Sequence, residues 1–223
     1  MIEQERIDNL LISIKKLEAY HEIQNTMGRA TAAFNFRQKE NFLQFLALDQ
    51  DDVSVEYADE GVFVGKRAVL SIEEQLFQQV RKPGEMIDMQ LTTPMIEVAD
   101  DLKTAKGLWW CPGAGAIQNK DGVPQAIWNW GQIAVDFIFN GQEWKIWHLH
   151  YFRLIKCDYK LGWVEDTSLE HRDNTAMNSE SMPTTYHNPY TPTSVREGIP
   201  AMPMPYKTFT KDERYWELKR DKR

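Results

Sequence analysis

Hydrophobic residues near the start of the chain recur at steps of three and four. Ile7, Leu10, Leu11, Ile14 and Leu17 form a stripe that continues through Tyr20, Ile23, Met27, Ala30 and Phe34. That is the period of an amphipathic helix. Gly28 is the first residue in it to mark a bend. A short second helix is predicted over 37–48, with Phe42, Phe45 and Leu46 on one face. The acidic run Asp49 to Asp52 breaks this pattern. Val53, Val55 and Tyr57 then alternate with Ser54 and Glu56, which predicts a strand with one buried face. Gly61 and Gly65 bracket a short apolar segment. Val69, Ile72, Leu76 and Val80 predict a third helix, stopped by Pro83-Gly84.

From Met86 the spacing changes to that of strands. One is predicted over 86–99, at a sheet edge or carrying a bulge because Pro94 interrupts it. A second covers 104–111 and is punctuated by Pro112 to Gly115. A third, long and aromatic, covers 126–139, and a fourth covers 144–159. Asn140-Gly141 between them is a strong hairpin signal, since both residues tolerate positive φ. Three helices followed by consecutive antiparallel strands predict an α+β fold with the helices on one face of a single sheet.

The last part has a different texture. Six of the ten prolines lie between Pro183 and Pro205, which rules out a regular helix or ladder there. Tyr186, Tyr190, Met202, Met204, Tyr206 and Phe209 are too many apolar anchors for a free linker. The expectation is a domain over 1–160 and an extended arm over 161–223, lying along the domain or a partner subunit. A short helix around Tyr215, Trp216 and Leu218 is expected to close it.

Composition narrows the function classes. The 223 residues suffice for one domain with an appendage, and a net charge of −7 argues against general affinity for nucleic acid or an anionic membrane. No apolar stretch approaches the ~20 residues that span a bilayer, and the acidic opening Met-Ile-Glu-Gln-Glu-Arg does not read as a leader. Cys111 and Cys157 make neither a disulfide framework nor metal-ligand spacing, so a reducing cytoplasm is the expected compartment.

Six of the eight tryptophans fall between Trp109 and Trp147 on three consecutive strands. Each alone reads as core; together they predict an aromatic-lined cavity for a small hydrophobic, aromatic or polycyclic molecule. Strand alternation places Trp144, Ile146, His148 and His150 on one face of the last strand, and Lys145, Trp147, Leu149, Tyr151 and Arg153 on the other. The two imidazoles then lie about 7 Å apart. They read as ordinary satisfied histidines, as two ligands of a metal whose third ligand is not visible, or as a general acid/base at the cavity wall. Asp136, on the tryptophan face of an apolar strand, reads as a partner for one of them or as an exposed strand-end carboxylate. Tyr57 offers a hydroxyl that caps the core or polarises a ligand oxygen. Asp49, Asp51 and Asp52 read as a solvated loop. No phosphate-binding glycine loop, nucleophile elbow or zinc signature occurs.

Three phrases in order, Phe42 to Val55, Gly61-Val-Phe-Val-Gly65-Lys and Asn140 to Trp147, resemble the SnoaL-like branch of the nuclear transport factor 2-like superfamily. The resemblance covers about residues 7 to 159. It implies a strongly curved antiparallel sheet wrapped around the long N-terminal helix, forming a cone with a pocket at its open end. Polyketide cyclases, scytalone dehydratase and steroid isomerases belong there, working without cofactors through a His or Asp acid/base and Tyr or Trp hydrogen bonds. Asn35 stands where such enzymes often carry Asp, and Trp109-Trp110 where dehydratases carry His. The Pro-rich arm is similar to those of SnoaL-like proteins acting on lignin- or polyphenol-type compounds.

The resulting expectation is a cofactor-independent lyase, dehydratase or isomerase. His148 and His150 with Tyr57 and Asp136 would be catalytic. Asn35, Trp109, Trp110, Trp128, Trp130 and Trp144 would bind substrate, with no metal. The alternatives are a binding module without chemistry or a structural subunit of the same fold. A homo-oligomer, dimer or trimer, is expected.

Overall fold

The computed structural model describes residues 2–58, 60–78, 82–119, 121–169 and 180–210. Three of the expected elements reach outside these: Val80 of the third helix, the middle of 161–223, and the closing helix around Trp216.

Helix α1 spans Ile2–Asn35 and runs through Gly28. Only its second half is a core element, with Ala19, Ile23, Met27, Ala30 and Ala33 buried at steps of three and four. Ile7, Leu10, Leu11, Ile14 and Leu17 are exposed instead. The predicted single stripe is thus two stripes on different faces, because the N-terminal half has no sheet beneath it to bury against. Helix α2 is only Lys39–Leu43, shorter than expected. Strands β1 (Ser54–Tyr57) and β2 (Val62–Val64) precede helix α3 (Lys66–Gln78).

The expected strand over 86–99 is two strands in different parts of the sheet, β3 (Met86–Met89) and β4 (Met95–Val98). Strand β5 (Thr104–Cys111) follows as predicted, and the glycines after Pro112 form a further strand, β6 (Gly113–Gln118). Strands β7 (Pro124–Phe139) and β8 (Trp144–Asp158) are the long central pair, followed by a single turn of helix, α4 (Gly162–Glu165). Their hairpin turn has Gly141 at φ +94° and the Asn140 side chain accepting from the Gln142 and Glu143 amides.

The sheet runs β2-β1-β8-β7-β5-β4, with β6 also on β7 and β3 on β6. It is curled, unclosed and mixed: antiparallel throughout except for the parallel pair β1–β8. Strand β7 pairs β6 with its first half and β5 with its second. Two irregularities between β7 and β8 leave Trp147 and Leu154 as extra residues on β8. Such bulges bend a strand and increase its twist. They curl the sheet around α1.

Much of the outer face of the sheet is covered, although Trp110 and Trp130 stay exposed. Residues 180–210 lie across it, tied to the β2 edge by the Met182–Val62 bridge and to Leu154 by the Tyr190 amide. At the β4–β5 turn the Asp100 and Asp101 amides donate to Tyr206 and Lys207 carbonyls. Both faces of β1 are therefore buried, Ser54 and Glu56 as fully as Val55, where one buried face was predicted.

Candidate functional site

A cavity of about 190 Å³ lies between the second half of α1 and the inner face of the sheet. Met27, Phe34, Phe42, Leu76, Ile133 and Leu149 supply apolar wall. Its polar lining is Thr31, Arg37, Tyr57, Glu60, Asn129, Tyr151, Arg153 and Lys156.

The bulge at Trp147 decides which face of β8 this is. Because it adds one residue, Trp144 and Ile146 turn inward together with Leu149, Tyr151 and Arg153, while His148 and His150 turn outward. The expectation that Trp144, Ile146 and both histidines share a face is corrected by that single extra residue, since a one-residue slip exchanges the faces of a strand.

The inner face carries a hydrogen-bonded acid pair. Tyr57, which lines the cavity, lies 2.7 Å from Glu73 Oε1, with the phenol donating when Glu73 is ionised. Glu73 comes from α3 and is fully buried. Burial first, then the charge of Glu60, raises its pKa to about 8, opposed by the Tyr57 hydrogen bond. Burial and the Glu73 charge likewise push the Tyr57 phenol well above its usual value. Tyr151 sits beside Tyr57 across the β1–β8 pair and donates to Asn129 Oδ1 at 3.0 Å. The Arg153 guanidinium lies over the Tyr151 ring, 5.9 Å from its centroid. A glycine makes this possible: a Cβ on Gly131 would sit 2.7 Å from Tyr151 Cε2. Arg37 Nη1 donates to the Leu76 carbonyl at the cavity's edge.

The outer face carries a second buried polar cluster beneath the arm. His148 Nδ1 lies 2.9 Å from Asp136, and Lys106 lies 3.8 Å from the same carboxyl. Trp147 stacks on His148 at 4.2 Å, and Phe209 of the arm lies against both. The Trp147 indole donates to Asp52 at 2.8 Å, so the residue read as a solvated loop anchors a ring. His150 stacks on Phe152 and reaches Glu56 at 3.3 Å. Glu56 accepts from the Thr184 hydroxyl and from the Thr185 amide and hydroxyl. Burial raises its pKa to about 7 against these hydrogen bonds.

Of the residues expected at the site, Tyr57 lines the cavity and the other nine do not. Asp136, read either as a histidine partner or as an exposed strand-end carboxylate, is buried and pairs with His148 on the outer face. Asn35 borders a neighbouring groove, where its amide clamps the Met89 backbone with two bonds, 2.9 and 3.0 Å long. Trp109 is buried against Phe137 in the core, and Trp144 against Phe139. Trp128 and Trp130 pack edge to face, with Tyr159 and Trp163 beside them, and Trp110 lies under Arg196 of the arm. Trp109 and Trp144 thus fill the inner core beyond the cavity, while strand alternation turns Trp110, Trp128 and Trp130 to the outer surface. Glu60, Glu73, Asn129, Arg153 and Lys156 were not singled out. Glu73 had a signal: it is a carboxyl set within the apolar stripe Val69, Ile72 and Leu76. Among the described residues no group of three His, Cys, Asp or Glu is placed to hold a metal ion.

Known structures share this architecture. A proposed scytalone dehydratase from Novosphingobium aromaticivorans DSM 12444 superposes with a TM-score of 0.55 at 13% identity, over 71% of this chain and 99% of that one. The chain has the nuclear transport factor 2-like cone fold. The hexachlorocyclohexane dehydrochlorinase LinA-type3 from Novosphingobium barchaimii LL02 matches at 0.52 and 16% identity, over 66% and 93% of the two chains. A proposed aromatic ring hydroxylase from N. aromaticivorans matches at 0.51 and 17%, over 64% and 94%. No family model and no curated protein matches the sequence. At these identities the cone fold is common ground, and its chemistry in this chain rests on its own side chains.

Proposed function

We propose that the cavity is the active site of a cofactor-independent lyase or isomerase acting on a small hydrophobic, aromatic substrate. The observation that carries this reading is the Tyr57–Glu73 pair, a phenol on the cavity wall backed by a buried carboxyl held near neutral pH. A titratable pair perturbed by burial and a neighbouring charge, set in a cleft, has the character of a proton-transfer site. Below about pH 8 Glu73 carries its proton and can donate it to the Tyr57 oxygen. The Tyr57 O–H is then free to donate to a substrate oxygen as negative charge develops there.

Glu60 lines the same cavity, close enough for its charge to raise the proton affinity of both Tyr57 and Glu73. Its carboxylate takes the proton from the carbon beside the polarised carbonyl. The electron pair left on carbon forms the enolate, which is reprotonated at carbon in an isomerase or expels a β-leaving group in a lyase. The proton role expected of His148 and His150 therefore passes to groups that face the cavity. A volume of about 190 Å³ suits a single ring with short substituents, given that a ~150 Å³ apolar cavity holds benzene. The LinA and scytalone dehydratase names describe eliminations, which is the same class of chemistry.

The test is exchange of α-protons of acetophenone and related aryl ketones in D₂O, followed by proton NMR. Exchange is expected in the wild-type protein and is expected to vanish in Tyr57→Phe. Wild-type exchange no faster than buffer, with the ketone bound, would leave a binding module without chemistry.

A second copy of the chain is the proposed partner. Ile7, Leu10, Ile14 and Leu17 are exposed at alternating three- and four-residue steps, Ile and Leu in the places a two-stranded coiled coil favours. The cytoplasm is the compartment this reading expects; both cysteines are buried thiols.

A further inference from the structure

We propose that the cavity selects a hydrophobic anion, a small aromatic carboxylate whose charge is taken by Arg153 and Lys156. This rests on the cavity being the substrate site and adds the class of molecule it takes.

The charge of the lining differs in sign from that of the molecule. The chain as a whole carries −7, yet the cavity is lined by three cations, Arg37, Arg153 and Lys156, against one acid, Glu60. However these groups pair among themselves, the lining keeps a formal surplus of two positive charges. Arg37 is engaged by the Leu76 carbonyl at the edge. Arg153 and Lys156 both come from the inner row of β8, and Lys156 stands opposite Asn129 in the β7–β8 register. They form a basic end to a cavity whose walls are otherwise mostly apolar.

Arg153 is 8% exposed. Its guanidinium, a planar fork of N–H donors, lies with its central carbon 5.9 Å from the Tyr151 ring centroid. A planar fork of that kind matches a carboxylate, which it can bind through two parallel hydrogen bonds in a site that excludes water. The apolar wall from Met27 to Ile133 receives the ring.

The placement also relates the anchor to the chemistry. Tyr57 is level with Tyr151 across the β1–β8 pair, and Arg153 is two residues further along β8. Two residues of strand span about 7 Å, so a carboxylate on Arg153 leaves the rest of a single-ring compound within reach of Tyr57 and Glu60. The charged end is then an orienting handle and the far end carries the reacting carbon.

The experiment is calorimetric titration with two probes of the same shape, 3-phenylpropanoate and 3-phenylpropanamide. The carboxylate is expected to bind at least about tenfold tighter than the amide, with the preference shrinking as salt is raised from about 20 to about 500 mM. In Arg153→Gln and Lys156→Gln the amide affinity is expected to persist while the preference for the carboxylate falls. Lys156 is half-buried, so its variant keeps the test alive where Arg153→Gln does not fold. Equal binding of the two probes, or a preference that neither variant alters, overturns the anion proposal and leaves the cavity reading standing. Failure of both probes to bind wild-type protein overturns both.

Discussion

Replacing Glu73 by Gln removes a titrating proton and leaves the side chain's shape and its hydrogen bond to Tyr57 in place. Glu73 is fully buried, and its pKa is raised from 4.5 to about 8, chiefly by burial. A carboxyl with a folded pKa above its unfolded one holds its proton more tightly in the native state. The native state thus binds more protons than the unfolded chain between about pH 4.5 and pH 8, and stability must fall as pH rises through that window. At 1.36 kcal/mol per pKa unit, the penalty specific to Glu73 grows by roughly 2–3 kcal/mol between pH 5 and pH 7. It approaches about 5 kcal/mol above pH 8. The uncharged amide of the variant incurs no such penalty, so Glu73→Gln should gain on the wild type by those amounts. Urea unfolding of both proteins at pH 5, 6, 7 and 8 reads the difference directly. Glu56 titrates in the same direction but is present in both proteins and cancels. A difference that stays flat from pH 5 to pH 8 would refute the reading of Glu73 as a buried, protonated acid.

Further outcomes follow from the same geometry. Tyr57→Phe should abolish ketone exchange and, by leaving Glu73 without its partner, lower stability by about 1–3 kcal/mol in chemical denaturation. Gly131→Ala places a methyl 2.7 Å from the Tyr151 ring, so it should destabilise by about 1–3 kcal/mol and weaken probe binding in calorimetry. His148→Ala leaves Asp136 and Lys106 without the imidazole beneath Phe209. It should lower the melting temperature while probe affinity stays within about twofold, and a tenfold loss of affinity in a folded variant would contradict the outward placement. Leu10→Glu with Leu17→Glu should shift a dimer to monomer in analytical ultracentrifugation, while a wild-type monomer would contradict the α1 seam.

Much of the fold could be read from local pattern. The long helix, the hairpin at Asn140-Gly141 and the two long strands each carry a signal within a few residues of themselves. The phrases that resemble the SnoaL-like branch pointed to the cone. What escaped was decided by contacts distant in sequence. A run such as 86–99 does not reveal that its halves pair with β6 and β5 on opposite limbs of the sheet. The arm's burial of Ser54 and Glu56 depends on residues some 130 positions later. For the candidate site, one extra residue at Trp147 mattered most. Strict alternation carried His148 and His150 to the side of Trp144, and a bulge leaves no mark in composition or period. Histidines and tryptophans are the residue types that stand out in the sequence, whereas the groups facing the cavity are two phenols, one carboxyl and cations, with Glu73 buried behind Tyr57. Tyr57 and Tyr151 are the polar candidates that do face the cavity, paired across the β1–β8 ladder.

A crystal structure with acetophenone bound tests most directly whether chemistry resides inside the cone. The ring is expected between Phe34, Leu76 and Ile133, with its ketone oxygen within about 3 Å of the Tyr57 hydroxyl. A ketone seated instead on the outer face against His148 and Phe209, or in the cavity with its oxygen turned away from Tyr57, would contradict it.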